Sequence, residues 1–161
     1  MHTVAILYPG DMGHNVGRVL LEDGFSVITT LVGRSGRTQR LSTDAAIAVL
    51  PSIDAVVERA EVILSIIPPT AAKTVATDFV NAVQKTNHRP LFVDANAISP
   101  MTAQEIDEII APSGAQYLDA CIIGPASNVR ERCTFYVSGS QAATFERLSE
   151  NFLCLYAANL R

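Results

Sequence analysis

The chain has 161 residues, 48% of them hydrophobic and 17% charged, with a net charge of −4. That length suits one domain (1–161) around a single sizeable core. Lys73 and Lys85 are the only lysines and no basic stripe occurs, which argues against a nucleic-acid partner; no apolar run approaches membrane-spanning length.

Residues 4–7 (VAIL) form a short apolar run that ends at Tyr8-Pro9-Gly10 and read as a buried strand. From Met12 the pattern becomes helical, with Val16, Val19 and Leu20 on one face and Asp23-Gly24 as a stop. A strand that turns through glycines into a helix aims free N–H groups and a positive dipole end at whatever lies above the sheet edge, which suits a phosphate or pyrophosphate. The dinucleotide fingerprint G-x-G-x-x-G falls on Tyr8, Gly10 and Gly13, so a tyrosine stands for the first glycine. Gly13 and Gly17 are then the residues that let the helix pack on its strand, and His14 is read as an exposed first-turn histidine.

The second strand is expected at residues 25–31 (FSVITTL), one helix later, as a βαβ unit requires. No Asp or Glu follows it to hold a ribose 2′-hydroxyl. Gly33-Arg34-Ser35-Gly36-Arg37 and Arg40 follow instead, read as a basic loop that favours a 2′-phosphate and hence NADP over NAD. A third strand is expected at 46–50 and a small helix at 53–59 capped by Ser52. Residues 61–67 (EVILSII) read as a parallel strand covered on both faces, stopping at Pro68-Pro69. Thr70 is the expected cap of the next helix, whose Ala71, Val75, Phe79 and Val83 share a face.

A fifth strand at 91–93 leads to Asp94 and Asn96, and Asn96 is a candidate for contacting a cofactor or substrate. Ser99-Pro100 signals a helix start, with Thr102 and Glu105 as a capping box. Strands at 116–120, 134–137 and 152–156 and a helix at 141–150 complete the order. Cys121, Cys133 and Cys154 are odd in number and widely spaced, so no disulfide framework or metal site is expected, only reduced thiols in a cytoplasmic protein. Asp94 and Asp119 are read as turn-forming carboxylates; Tyr8 and Tyr136 are proton donors only in principle.

Taken in order, these segments resemble the N-terminal NAD(P)-binding domain of the β-hydroxyacid dehydrogenase superfamily, which includes 6-phosphogluconate dehydrogenase and the imine reductases. Pro9-Gly10-Asp11-Met12-Gly13 is similar to that family's Gly-x-Met-Gly turn, and Gly33-Arg34-Ser35 stands where members carry Asn-Arg-Thr or Asn-Arg-Ser. Ile66-Ile67-Pro68-Pro69 resembles the segment passing the nicotinamide ribose, and the stretch from Val93 to Asn96 with Ile98-Ser99-Pro100 resembles the one near the nicotinamide. Asp119 to Pro125 takes the place of the substrate-binding segment, Asp-Ala-Pro-Val-Ser-Gly-Gly.

The resemblance implies a Rossmann-like doubly wound α/β fold with a mostly parallel sheet. It implies a cofactor site at Gly10, Asp11, Met12, Gly13, Arg34, Ser35, Arg37, Ile67, Pro68 and Asn96, and a substrate site at Ile122, Ile123 and Gly124. Ile123 replaces the family's substrate serine and Pro125 the following glycine, so an apolar pocket for a carbonyl, imine or alcohol is expected rather than a hydroxyacid carboxylate site. The family's catalytic lysine and its asparagine partner lie on a helix after this domain, and Lys73 and Lys85 match neither. The implied partners are a small-molecule substrate and a homodimer or partner chain supplying the helical part. The competing expectation is a non-catalytic nucleotide-binding module or an interaction protein on a degenerate scaffold.

Overall fold

The computed structural model describes residues 2–149 and 154–157. In chain order it runs β1 (Thr3–Leu7), α1 (Asp11–Glu22), β2 (Ser26–Thr30), α2 (Gly36–Asp44), β3 (Ala48–Leu50), α3 (Ile53–Arg59), β4 (Val62–Ser65) and α4 (Ala72–Val83). It continues with β5 (Leu91–Asp94), α5 (Pro100–Ile110), β6 (Tyr117–Ile123), α6 (Val129–Arg132), β7 (Thr134–Ser138), α7 (Ala142–Ser149) and β8 (Cys154–Ala157). Among the described residues these strands form one sheet in the order β3-β2-β1-β4-β5-β6-β7-β8. All pairs are parallel except β6 with β7. The chain reverses its winding direction between β3 and β4, which leaves a crevice beyond the carboxyl ends of β1 and β4, the usual place for a ligand in an open α/β sheet.

Alternation along β1 shows why the sheet is covered on both faces. Val4 and Ile6 point into a core layer with Val16, Val19 and Leu20 of α1 and Phe145 of α7. Ala5 and Leu7 point into the opposite layer, with Val56 and Val57 of α3, Val75 and Phe79 of α4, and Ile106 and Ile110 of α5. Phe79 and Phe92 bring their ring centroids to 4.7 Å in a tilted stack that anchors α4 to β5. Gly17 lets α1 lie close to the sheet: a Cβ there would stand 2.7 Å from Ile47 Cδ1 and 3.2 Å from Ile6 Cδ1. A Cβ at Gly13 would stand 3.2 Å from Ile6 Cγ2, so both glycines serve the helix–strand packing expected of them.

Several local expectations need correction. The segment read as a basic loop is largely helix, because Ser35 caps α2 by accepting a hydrogen bond from Thr38 N at 3.3 Å. Its nine residues, GRTQRLSTD, hold one large apolar side chain, so no hydrophobic period announces it. β3 begins at Ala48 because Ala46 takes a left-handed φ of 57° as the chain leaves α2. β4 ends at Ser65, two residues short of the apolar run, since the Ile67 amide bonds Asn96 Oδ1 at 2.7 Å instead of continuing the ladder. Thr70 caps nothing, lying inside a short 3-10 turn, Pro69–Ala71, that runs into α4. Thr102 and Glu105 form no capping box: Ser99 caps α5, and Glu105 pairs with Lys73. β6 runs on to Ile123 because its antiparallel partner extends the pairing to Ile123 with Thr134. Ser52 does cap α3, accepting from Ala55 N at 3.1 Å. The expected last strand overlaps β8, and its first two positions, 152 and 153, lie outside the described residues.

Candidate functional site

The sheet register sets one row of residues across the carboxyl edge: Leu7 beside Ser65, Ser65 beside Asp94, Asp94 beside Asp119, and Asp119 beside Ser138. Above the β1 and β4 part of that row opens a cleft of about 600 Å³, lined by Tyr8, Gly10, Asp11, Met12, Gly33, Arg34, Ser35, Thr38, Ile66, Ile67, Pro68, Ala71 and Val75. Seven of the predicted cofactor residues therefore meet in one place, although they come from three separate βα turns.

The floor of the cleft is the start of α1. Gly10 is its N-cap, in an extended conformation and without a side-chain cap, so the first-turn amides have no side-chain oxygen in front of them. A Cβ built on Gly10 would meet no heavy atom within 4 Å. The start of α1 therefore offers uncapped amides and the positive end of a helix dipole, a combination that suits an anionic group. His14 is tied to its own turn, its Nδ1 lying 2.8 Å from Gly10 O.

Tyr8, at the position of the first fingerprint glycine, takes the left-handed φ of 56° that a glycine would take there. Its half-buried ring packs against the layer formed by α3, α4 and α5. The Arg34 guanidinium carbon lies 4.1 Å from the ring centroid. Burial raises the phenol above its ordinary pKa, while the Arg34 charge pulls it down and Asp78 pushes it up.

Three of the predicted residues are held by partners of their own. Arg37 is ion-paired with Asp11, joining α2 to the first turn of α1; it lies outside the lining of the cleft, and its charge is already opposed by a carboxylate. Ser35 has its hydroxyl engaged at the start of α2, bonding Thr38 N and Thr38 Oγ1. Asn96 is buried and turned inward. Its Oδ1 accepts from Ile67 N, and its Nδ2 donates to Asp94 Oδ1 at 2.6 Å. Its side chain therefore holds the β4 turn against the β5 turn and so sets where Ile67 and Pro68 stand. The signal for that role was readable in the Asp-x-Asn spacing, a common self-bonding turn, but its long-range partner was not.

On the β5 to β7 side, a second cleft of about 480 Å³ is lined by Asn96, Ala97, Ile98, Asp119, Ala120, Cys121, Tyr136, Val137 and Ser138. Ile122, Ile123 and Gly124 follow at the end of β6, outside that lining: Ile122 packs partly into the core and Ile123 is 58% exposed. Asp94 and Asp119 are neighbours on the sheet. Burial pushes the Asp94 carboxyl up to about 6, two hydrogen bonds from Asn96 pull it down, and Asp119 pushes it up. Among the described residues, Asp94 Oδ2 has no hydrogen-bond partner. Burial also raises Asp119.

A folded-state pKa above the ordinary carboxylate value means that the folded chain holds this proton more tightly than the unfolded one. The associated stability is complete below about pH 4 and is lost as the pH rises through about 6, on the order of 3 kcal/mol for one such group. Urea unfolding at intervals from pH 4 to pH 7 should show this fall, and Asp94→Asn should flatten it. Parallel curves for the two proteins would contradict the assignment.

The family model for the NAD binding domain of 6-phosphogluconate dehydrogenase matches residues 3–160. The chain belongs to that family. As a dehydrogenase-type NAD-binding domain, it is 27% identical over 138 residues to the mitochondrial 3-hydroxyisobutyrate dehydrogenase of Bos taurus, covering 84% of this chain and 40% of that protein. Among solved structures, 3-hydroxyisobutyrate dehydrogenase of Mycobacterium tuberculosis, determined with L-serine, superposes with a TM-score of 0.79 at 24% identity, over 97% of this chain and 54% of that one. An imine reductase of Myxococcus stipitatus in complex with NADP+ gives 0.78 at 18% identity, over 98% and 55%. The NAD-binding domain described here thus spans about half the length of these relatives or less. A nicotinamide dinucleotide is the family's cofactor.

Proposed function

We propose that the chain is the NADP-binding part of an oxidoreductase that moves hydride between nicotinamide and a carbonyl, imine or alcohol carbon. The observation that carries the NADP arm is Arg34. Its guanidinium lines the cleft beside the turn after β2, has no carboxylate partner among the described residues, and stands where an NAD-binding chain would need an acidic side chain. Gly10, Met12 and Gly13 would receive the diphosphate, Arg34 and the capped start of α2 the 2′-phosphate, and Ile67 and Pro68 the ribose nearer the nicotinamide. When bound, the cofactor supplies the hydride chemistry, and the protein's part is to orient it and exclude water. Asn96 contributes by holding the turn that carries Ile67. Ile122, Ile123 and Gly124 would present an apolar wall to the substrate, in a cytoplasmic homodimer or an assembly with a partner chain.

Titration with NADPH and NADH, followed by nucleotide fluorescence, tests the reading. NADPH should bind more tightly, and Arg34→Ala should weaken NADPH by about ten- to hundredfold, the range for losing a charge-assisted bond to phosphate, with little effect on NADH. Arg37→Ala should do less, because that guanidinium is already paired with Asp11. An unchanged NADPH/NADH ratio in Arg34→Ala would refute the phosphate assignment. Binding of NADPH with no turnover of any carbonyl or imine by the full assembly would leave a nucleotide-binding module.

A further inference from the structure

Tyr8 is the residue that the family fingerprint explains least. A bulky side chain occupies a turn position built for glycine, in a left-handed conformation that disfavours any residue with a Cβ. Three observations show what the ring does there. It packs against the α3, α4 and α5 layer rather than over Gly10, above which the space is open. It lies 4.1 Å beneath the Arg34 guanidinium. Arg34 is further held by an Nε bond to Val32 O at 3.3 Å, and among the described residues it has no carboxylate partner, whereas Arg37 is ion-paired with Asp11.

We infer that Tyr8 is a positioning residue for cofactor choice: its ring supports one face of the Arg34 guanidinium and leaves the other face and the N–H edge turned to the adenosine end of the cleft. The inference rests on the proposed NADP reading and deepens it. An arginine on a surface loop samples many rotamers, and fixing it on an aromatic face removes that entropy before the ligand arrives. The ring and the guanidinium attract through the ring's quadrupole, and a flat guanidinium supported on one side keeps its opposite side for stacking a purine base. Its in-plane N–H groups then point outward, where they can fork a phosphate. A carboxylate partner would hold Arg34 as well but would cancel the charge that the phosphate needs; an aromatic partner holds it and leaves the charge. Phenylalanine should therefore replace Tyr8, and an aliphatic side chain of similar bulk should not.

The test uses Tyr8→Phe and Tyr8→Leu, each alone and in an Arg34→Ala background, with dissociation constants for NADPH and NADH and the Arg34 Nε–Hε signal in nitrogen–proton NMR spectra. The signal should show a ring-current shift in the wild type and in Tyr8→Phe, with or without nucleotide, and lose it in Tyr8→Leu. Tyr8→Phe should keep NADPH affinity within about twofold, and Tyr8→Leu should weaken NADPH about fivefold, the scale of one cation–π contact, while NADH changes less than twofold. In the Arg34→Ala background, Tyr8→Leu should not alter the NADPH/NADH ratio. Equal losses for both cofactors would reduce Tyr8 to a structural role and overturn the inference. Tighter NADPH binding in Tyr8→Leu would overturn it in the other direction, making the ring an obstacle to the cofactor. A ring-current shift together with no NADPH preference in the wild type would sink the NADP reading and the selectivity role with it. A missing shift in a wild type that does prefer NADPH would overturn the Tyr8 inference alone.

Discussion

Gly124→Ala should destabilise the chain by about 4 kcal/mol, the sum of a strained backbone and a forced contact at about 2 kcal/mol each. Gly124 leaves the end of β6 with a φ of 145°, a region that residues with a Cβ rarely adopt. An added Cβ would stand 2.2 Å from the carbonyl oxygen of Arg132 and 2.7 Å from Cys133 Cα. Those atoms are backbone, so no rotamer change relieves the clash; the strand entering β7 has to move. β7 begins at Thr134, directly after this contact, and is the antiparallel partner of β6, so the shift would also disturb the row that carries Asp119 and Ser138. Urea unfolding should show a lower midpoint with little change of slope. A loss under about 1 kcal/mol would mean that the turn after β6 does not lie against Arg132 and Cys133. Pro125 follows directly, and its carbonyl oxygen accepts from the Cys133 thiol at 3.4 Å. This turn is thus packed on both sides of the glycine.

Asn96→Ala should cost about 3 kcal/mol, the scale of removing a buried side chain that satisfies several polar partners at once. The substitution leaves the Ile67 amide without its 2.7 Å acceptor and removes the side-chain donor to Asp94 Oδ1. The Asn96 backbone amide would still reach Asp94 Oδ1, at 3.0 Å. A simple packing defect would move stability equally at all pH values. Here the loss of a hydrogen bond that favours the ionised Asp94 should also raise that carboxyl further, shifting the pH at which stability falls to higher values. Unfolding curves for Asn96→Ala at several pH values separate the two accounts: an unmoved pH dependence would mean that Asn96 and Asp94 do not act as a pair. Because Asn96 holds the turn bearing Ile67 and Pro68, nucleotide affinity should fall in the same variant although Asn96 is not part of the lining of that cleft.

The doubly wound class was legible because it depends on patterns that neighbours in sequence carry. Residues 61–67 are apolar without alternation, which only a strand covered on both faces tolerates. Ser52, Ser99 and Pro100 mark helix starts by chemistry local to a single turn, and they do so in the structure. The order of glycine turn, arginine segment, proline turn and Asp-x-Asn turn was enough to indicate the family, whose model covers residues 3–160. By contrast, α2 was hidden because a helix lying on the surface with one large apolar side chain has no periodicity to show. The reversal at β7 was hidden because an antiparallel and a parallel edge strand can share one composition.

What the sequence determined by itself is the set of βα turns and their order, since each is decided by residues within a few positions of one another: which glycines are present, where the prolines stop a strand, which hydroxyl caps a helix. What only the tertiary structure decided is how the polar and charged side chains on those turns are spent. Arg34 and Arg37 are three residues apart and chemically identical, yet one lies over a tyrosine with its charge open to the cleft and the other is joined to Asp11. Asn96 was expected to touch a ligand, and its side chain is bonded so as to hold two strand ends together. The physical reason is distance along the chain. A cap or a turn is chosen by short-range sterics and hydrogen bonding, whereas the partner of a charge 26 residues away exists only once the sheet has brought separate turns to one edge.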